Sequence, residues 1–302
     1  MSLASISVEI MFFTLASFCL LRLVKRKEWD YMILFLSLMV FGVTLEMMAM
    51  YVTEGYHYAD FLVMIGGVPL WIGCMWAVVV YTGMRTMDLF GLPKYTRPFG
   101  DAVLAVAVDI AMDPVAVSLG LWHWQDAGNW FGVPYPNYFG WFNAVFIFSV
   151  IWRGTGLLLP RIGRHLNSKY IGFVQAALTV VLATVILGLS LLVYYQNLSF
   201  RVQEVLLLGM IFGSCGLIAV HHSKVNTKDP LDAHLIIPII TVFLFFLIGL
   251  ILTNELGSEF VAIYLMVFII SVLARLVPFI EGIPGIVRRK TVRKRGTNTS
   301  ED

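Results

Sequence analysis

Residues 103–121 read VLAVAVDIAMDPVAVSLGL, an apolar run interrupted by Asp109 and Asp113. A run of this length can cross the ~30 Å hydrocarbon core of a bilayer as a helix. A carboxylate near the bilayer centre costs about 2.5–3.5 kcal/mol on insertion scales, so two on one helix need something that offsets the cost. Four residues apart, the two acids share a helical face, about 6 Å apart along the axis. Pro114 follows directly; it removes a backbone hydrogen bond and crowds the preceding turn, which predicts a kink or break there. Ala102, Ala105, Ala107, Ala111 and Ala116 flank the acids. Small residues permit close helix packing, and they also leave room for a slender ligand. Two nearby carboxylates in a low dielectric cannot both ionise cheaply, so one is expected to hold a proton near neutrality, as a poised general acid does. The plain alternative is a carboxylic acid that only hydrogen-bonds to a neighbouring helix.

The rest of the chain has the same character. It is 59% hydrophobic and 13% charged, where a soluble domain carries about 25% charged residues. Apolar runs recur near residues 6–24, 31–52, 61–84, 99–121, 138–160, 170–195, 202–222, 233–253 and 260–281. The expected fold is therefore an all-α polytopic transmembrane helical bundle of about nine spans (seven to nine). A single membrane domain covers residues 1–284, and a basic, disordered tail covers 285–302. The first run lacks the basic flank of a signal peptide and is expected to be retained as a span. A net charge of +2 implies no nucleic-acid partner. Cys19, Cys74 and Cys215 all fall in apolar runs, without disulfide or metal-ligand spacing.

Basic residues alternate from one connection to the next. Arg22, Lys25, Arg26 and Lys27 follow the first span; Arg85, Lys94 and Arg97 the third; Arg161, Arg164 and Lys169 the fifth; Lys224 and Lys228 the seventh; the tail is rich in both types. The intervening connections carry Glu54, Asp60, Asp126, Arg201, Glu204, Glu255 and Glu259. The positive-inside rule then gives an outside N-terminus and a cytoplasmic C-terminus.

Glu46, in VFGVTLEMMAMYV, is a third acid within a span. On this topology it lies in the outer half of its span, as Asp113 does, so the two could face one cavity. Alternatively it pairs with a buried base such as Arg153 or Arg275. Those two bases read as snorkelling or ion-paired. The connection GLWHWQDAGNWFGVPYPNYFGWF holds Trp122, Trp124, Trp130, Tyr135, Tyr138 and Trp141. These rings suit an interfacial aromatic belt, or a lid whose π-faces grip a cation or a conjugated chain. His123 could shuttle protons, or simply hydrogen-bond at the interface. No lysine within a span could form a retinal Schiff base, and neither a histidine array for di-iron nor a nucleotide-binding loop is present.

Several of these residues carry a resemblance. Gly67-Val68-Pro69-Leu70 with Trp76 and Tyr81, then Asp113-Pro114-Val115-Ala116, Gly120, Trp122 and Trp124, then Phe131-Gly132-Val133-Pro134, Asn137 and Gly140-Trp141 resemble the membrane carotenoid-biosynthesis hydratases, the carotenoid 1,2-hydratase and bisanhydrobacterioruberin hydratase family of bacteria and archaea. Glu46 stands where that family has an acid before a glycine-aromatic loop, here Glu54-Gly55-Tyr56-His57-Tyr58. The match covers roughly residues 40–145.

The resemblance implies a cofactor-independent, metal-free hydro-lyase of the cell membrane, adding water to the terminal isolated C=C of an acyclic carotenoid. It implies Asp113, Asp109 and Glu46 as catalytic residues, and Trp122, Trp124, His123, Tyr138, Asn137 and Trp76 around a lipophilic polyene. It also implies possible association with other carotenoid-pathway membrane enzymes. The chemistry fits: protonating an isolated alkene needs a dry, neutral acid and gives a tertiary cation that aromatic faces stabilise. The rival readings are a proton-coupled transporter using the acids as a relay, and a non-catalytic carotenoid-binding protein.

Overall fold

The structure, a computed structural model, describes residues 1–53, 55–125, 128–162, 168–222 and 233–281. The expected basic tail, and Glu54, Asp126, Arg164, Lys224 and Lys228 of the charge alternation, lie outside the described residues. The described chain forms nine helices: α1 (Leu3–Arg26), α2 (Trp29–Thr53), α3 (Leu70–Leu89), α4 (Arg97–Ser118), α5 (Tyr135–Ile162), α6 (Ser168–Asn197), α7 (Phe200–His221), α8 (Ala233–Thr253) and α9 (Gly257–Glu281). Four short strands, β1 (Tyr56–Tyr58), β2 (Met64–Ile65), β3 (Val68–Pro69) and β4 (Trp122–Trp124), cluster at one end of the bundle. The all-α polytopic bundle is thus what the sequence led one to expect.

Seven of the nine helices are long and apolar enough to cross a membrane; α3 and α4 are not among them. The reason lies in their surroundings. Residues 71–84 of α3 are buried without interruption, because α1, α2, α4 and α8 surround it. Helix α4 packs against α3, α5, α7, α8 and α9. A helix enclosed by protein can carry polar groups that a lipid-facing helix cannot.

Two boundaries differ from the sequence expectation. The third span, expected over 61–84, is α3 at Leu70–Leu89. Gly66 (φ 57°) and Gly67 (φ 84°) form a two-residue hairpin turn that pairs Ile65 with Val68; positive φ at both central positions is what such a turn demands. Pro69, in an extended conformation, then starts the helix. Helix α4, expected to kink or break at Pro114, continues to Ser118. The carbonyl of Ile110, four residues before the proline and without its usual amide partner, accepts a long 3.4 Å bond from Trp130 Nε1. The chain leaves α4 through Gly120 (φ 67°), where Leu121 N–H bonds to Ala116 O and Gly120 N–H to Val117 O, both at 2.9 Å.

Glu46 is not the last acid among the helices. Glu9 in α1 is 0% exposed and accepts the backbone N–H groups of Leu62 (3.0 Å) and Val63 (3.2 Å), pinning the β1–β2 connection. Asp101 in α4 belongs to a clasp at the opposite end of the bundle. There Arg153 of α5 reaches Asp88 of α3 (2.5 Å) and Asp101 (2.8 Å), Arg97 reaches Asp88 (3.0 Å), and Ser149 donates to Asp101 (2.6 Å). The clasp fixes α3, α4 and α5 against one another. Arg275 is 1% exposed, so it does not snorkel; it donates to Ser271 O at 3.0 Å.

Candidate active site

The site begins with a sequence echo: Tyr56-His57-Tyr58 and Trp122-His123-Trp124. In the structure these triplets are antiparallel partners, with Tyr56 opposite Trp124, His57 opposite His123 and Tyr58 opposite Trp122. Bonds from Gln125 N to Gly55 O (2.8 Å) and from Ala59 N to Leu121 O (3.0 Å) bracket the ribbon. Side chains alternate along a strand, so the four larger rings share one face and the two imidazoles the other. Tyr56 and Trp124 lie with centroids 4.7 Å apart, and Tyr58 meets Trp122 edge-on at 5.9 Å. The imidazoles lie 5.5 Å apart on the far face, with both His57 and His123 exposed.

Beneath the aromatic face are the acids. Asp109 and Asp113 are 1% and 2% exposed and lie on one side of α4. Asn137, in the first turn of α5, joins them: its Nδ2 donates to Asp109 Oδ2 (2.9 Å) and to Asp113 Oδ2 (2.6 Å). Trp122 Nε1 donates to the other oxygen of Asp113 at 2.6 Å. Glu46, from α2, faces the same space rather than pairing with Arg153 or Arg275. Its Oε2 accepts the hydroxyls of Tyr56 (2.5 Å) and Tyr58 (2.8 Å), and its Oε1 accepts Trp76 Nε1 (3.0 Å). The three acids therefore come from two helices and are held by donors from α3, α5 and both strands of the ribbon.

The chamber encloses ≈ 30 Å³ and is lined by the three acids together with Tyr56, Tyr58, Trp122, Trp124, Asn137 and Trp141, among others. That is room for about two water molecules. A hollow of ≈ 50 Å³ adjoins it through Glu46, Tyr56, Trp124, Asn137 and Trp141, and reaches Leu45 and Ala49 of α2 and Leu187 and Leu191 of α6. Trp76, which stacks on Trp141 at 4.0 Å, lines this hollow rather than the acid chamber. No cluster of three or more metal-ligating side chains occurs among the described residues.

Of the residues singled out from sequence, Asp109, Asp113, Glu46, Trp122, Trp124 and Asn137 meet at the chamber, and Trp76 touches it through Glu46. Two do not reach it. His123 points away because it occupies the alternate position of its strand. Tyr138 is one residue past Asn137 on α5 and turns into a cluster with Val133 and Leu207. The chamber also uses residues whose roles sequence reasoning missed. Tyr56 and Tyr58 were visible only as part of an aromatic loop; the matching aromatic-His-aromatic triplets were the available signal. Trp141 stood among six loop rings and in the Gly140-Trp141 motif of the resemblance, without a place in the site. Trp71, stacked between Phe12 (5.3 Å) and Trp122 (6.3 Å), backs the ribbon.

A family model described as "Carotenoid biosynthesis protein" matches residues 5–214. The match takes in every residue of the chamber and leaves α8 and α9 outside. No curated protein and no solved structure matches the chain.

Proposed function

The chain belongs to the carotenoid biosynthesis protein family, and on that premise we propose that it is a membrane hydratase. It adds water to the terminal isolated double bond of an acyclic carotenoid end group, giving a tertiary alcohol. The observation that carries the reading is the pair Asp109–Asp113, buried and bridged by one amide beneath an aromatic ribbon, with Glu46 facing the same water-sized chamber.

Each group has a role suited to its contacts. Asp113 accepts an N–H on each oxygen, the arrangement that suits a carboxylate. Asp109 accepts a single bond from Asn137 and is the proton donor. Its O–H bond breaks as the alkene π pair takes the proton at the less substituted carbon. The tertiary cation that forms at the other carbon faces Trp122, Trp124 and the Asp113 carboxylate, which stabilise positive charge. A water in the chamber forms the C–O bond and gives its proton to Glu46, which the hydroxyls of Tyr56 and Tyr58 hold in place. Return of that proton from Glu46 to Asp109 through the chamber resets the site, and the net change is one water added. Enclosure keeps bulk water from quenching the cation and strengthens each electrostatic contact.

A carotenoid dissolves in the bilayer, so a site among the helices meets its substrate there. The ribbon end of the bundle faces the non-cytoplasmic side of a bacterial or archaeal cell membrane, the polyene and water are the ligands, and neighbouring pathway enzymes are the partners. The test is expression in a host that makes acyclic carotenoids, with pigments analysed by mass spectrometry. Products heavier by one water support the reading; a pigment profile unchanged across acyclic substrates rejects it.

A further inference from the structure

The chamber and its adjoining hollow, ≈ 30 and ≈ 50 Å³, hold a water and the tip of a chain but not a polyene. We propose that the rest of the substrate lies along the seam between α2 and α6, in a groove formed by two of the helices that line the hollow. The proposal rests on the hydratase reading for the identity of the occupant.

The groove has a volume of ≈ 320 Å³ and is lined by Ile33, Leu36, Ser37 and Val40 of α2 and by Phe173, Ala176, Ala177, Val180 and Val181 of α6. It carries no charge. Its single hydroxyl, Ser37 Oγ, is spent on the carbonyl of Leu34 at 2.8 Å. The wall therefore offers dispersion and apolar contact and nothing that would hold a headgroup. The two hollows lie in register on parallel helices. Residues 33–40 of α2 face 173–181 of α6 at the groove, and Leu45, Glu46 and Ala49 face Leu187 and Leu191 at the hollow. From Glu46 back to Ile33 is thirteen residues, about 20 Å of helix. A straight seam of that length suits a rigid, extended conjugated chain, whose ordering costs little entropy. Met48 covers Gly188 beside the hollow, its Sδ 2.9 Å from where a Cβ on the glycine would sit. An unbranched thioether there can swing aside as a chain enters. Alignment with the acids distinguishes this groove from an ordinary lipid-facing furrow: it lies on the same two helices as Leu45, Glu46, Leu187 and Leu191 of the hollow, about two turns away, so a chain lying along the seam points its end at Glu46.

The experiment compares two substrates with the same reacting end group in the full-length protein in nanodiscs. One is a full-length acyclic carotenoid and the other an analogue too short to reach from the chamber to the groove. Ala177→Trp fills the groove from α6, and Leu36→Trp fills it from α2. Both variants are expected to raise KM for the long chain at least tenfold, with turnover of the short analogue within twofold of wild type. That equality also reports that the variants are folded. Wild-type turnover of the long chain alone likewise supports the groove, since the end groups are identical. If wild type hydrates both and the variants slow neither, or slow both alike, the groove assignment is overturned. If wild type hydrates neither, the hydratase reading itself has failed.

Discussion

Replacing Asn137 with alanine removes the amide that donates to both aspartates. Two donations are lost, at 2.9 Å to Asp109 and 2.6 Å to Asp113. A hydrogen bond to an ionised partner contributes about 1.5–3 kcal/mol and one to a neutral partner about 0.5–1.5 kcal/mol, so the pair is worth roughly 2–4 kcal/mol. A water entering the space left by the amide recovers part of this. About 2–3 kcal/mol is then expected to appear in the barrier, a fall of roughly 30- to 150-fold in kcat. KM should change little, because the apolar walls of the site remain. The assay is the initial rate of water addition in nanodiscs, read by mass spectrometry, beside a thermal melt of the same sample. Asn137→Gln keeps the donors but moves them by a methylene, and should fall between the two. An Asn137→Ala variant that melts normally and keeps kcat within threefold of wild type would refute the claim that the amide organises the acids.

Further outcomes follow from other parts of the molecule. Arg153→Met leaves the buried Asp101 without its guanidinium and should cost about 3–5 kcal/mol of stability; an unchanged melting temperature in detergent would show that the clasp does not hold α3–α5 together. Tyr58→Phe deletes one hydroxyl from Glu46 and should lower activity about 5- to 30-fold, since such a bond is worth about 1–2 kcal/mol. Burial, and then the Glu46 charge, push the Tyr58 hydroxyl well above its ordinary range. It therefore stays protonated and donating below that range, and the ratio of variant to wild-type rates should be flat from about pH 6 to 9. A ratio that collapses toward unity within that window would contradict the assignment. Gly42→Ala places a Cβ 2.6 Å from the Trp76 ring. It should displace the indole that donates to Glu46 and lower both activity and thermal stability; wild-type values for both would mean that α2 and α3 separate without cost.

The helices and the acids were legible in the sequence for one reason: in a long apolar run, both the length and the polar exceptions stand out. The pairing of Asp109 with Asp113 followed from helical spacing alone, and Asp113-Pro114 carried the resemblance to a family. The ribbon was not legible in the same way. Three-residue strands leave no periodicity to detect, and Tyr56 and Tyr58 gain a role only when Trp122 and Trp124 lie opposite them. His123 faces away from the chamber for a related reason: a strand turns alternate residues to opposite faces, which a loop reading does not show. The start of α3 was misjudged because apolar residues 61–65 continue into it unbroken in hydropathy, and only Gly66-Gly67 marks the turn. Asp88 and Asp101 sit near helix ends, where charge is ordinary; their burial with Arg153 is a product of tertiary packing that one-dimensional reading cannot supply.

The buried acids are proposed to add water to an alkene. The most direct measurement supplies an acyclic carotenoid and water labelled with heavy oxygen to the purified protein, its Asp109→Asn form and its Asp113→Asn form. Labelled tertiary alcohol is expected from the wild type, with a loss of at least about 100-fold in the Asp109→Asn form, the scale of general acid catalysis. A large loss is expected in the Asp113→Asn form as well. Labelled product formed at near wild-type rates by both variants would contradict that role for the acids.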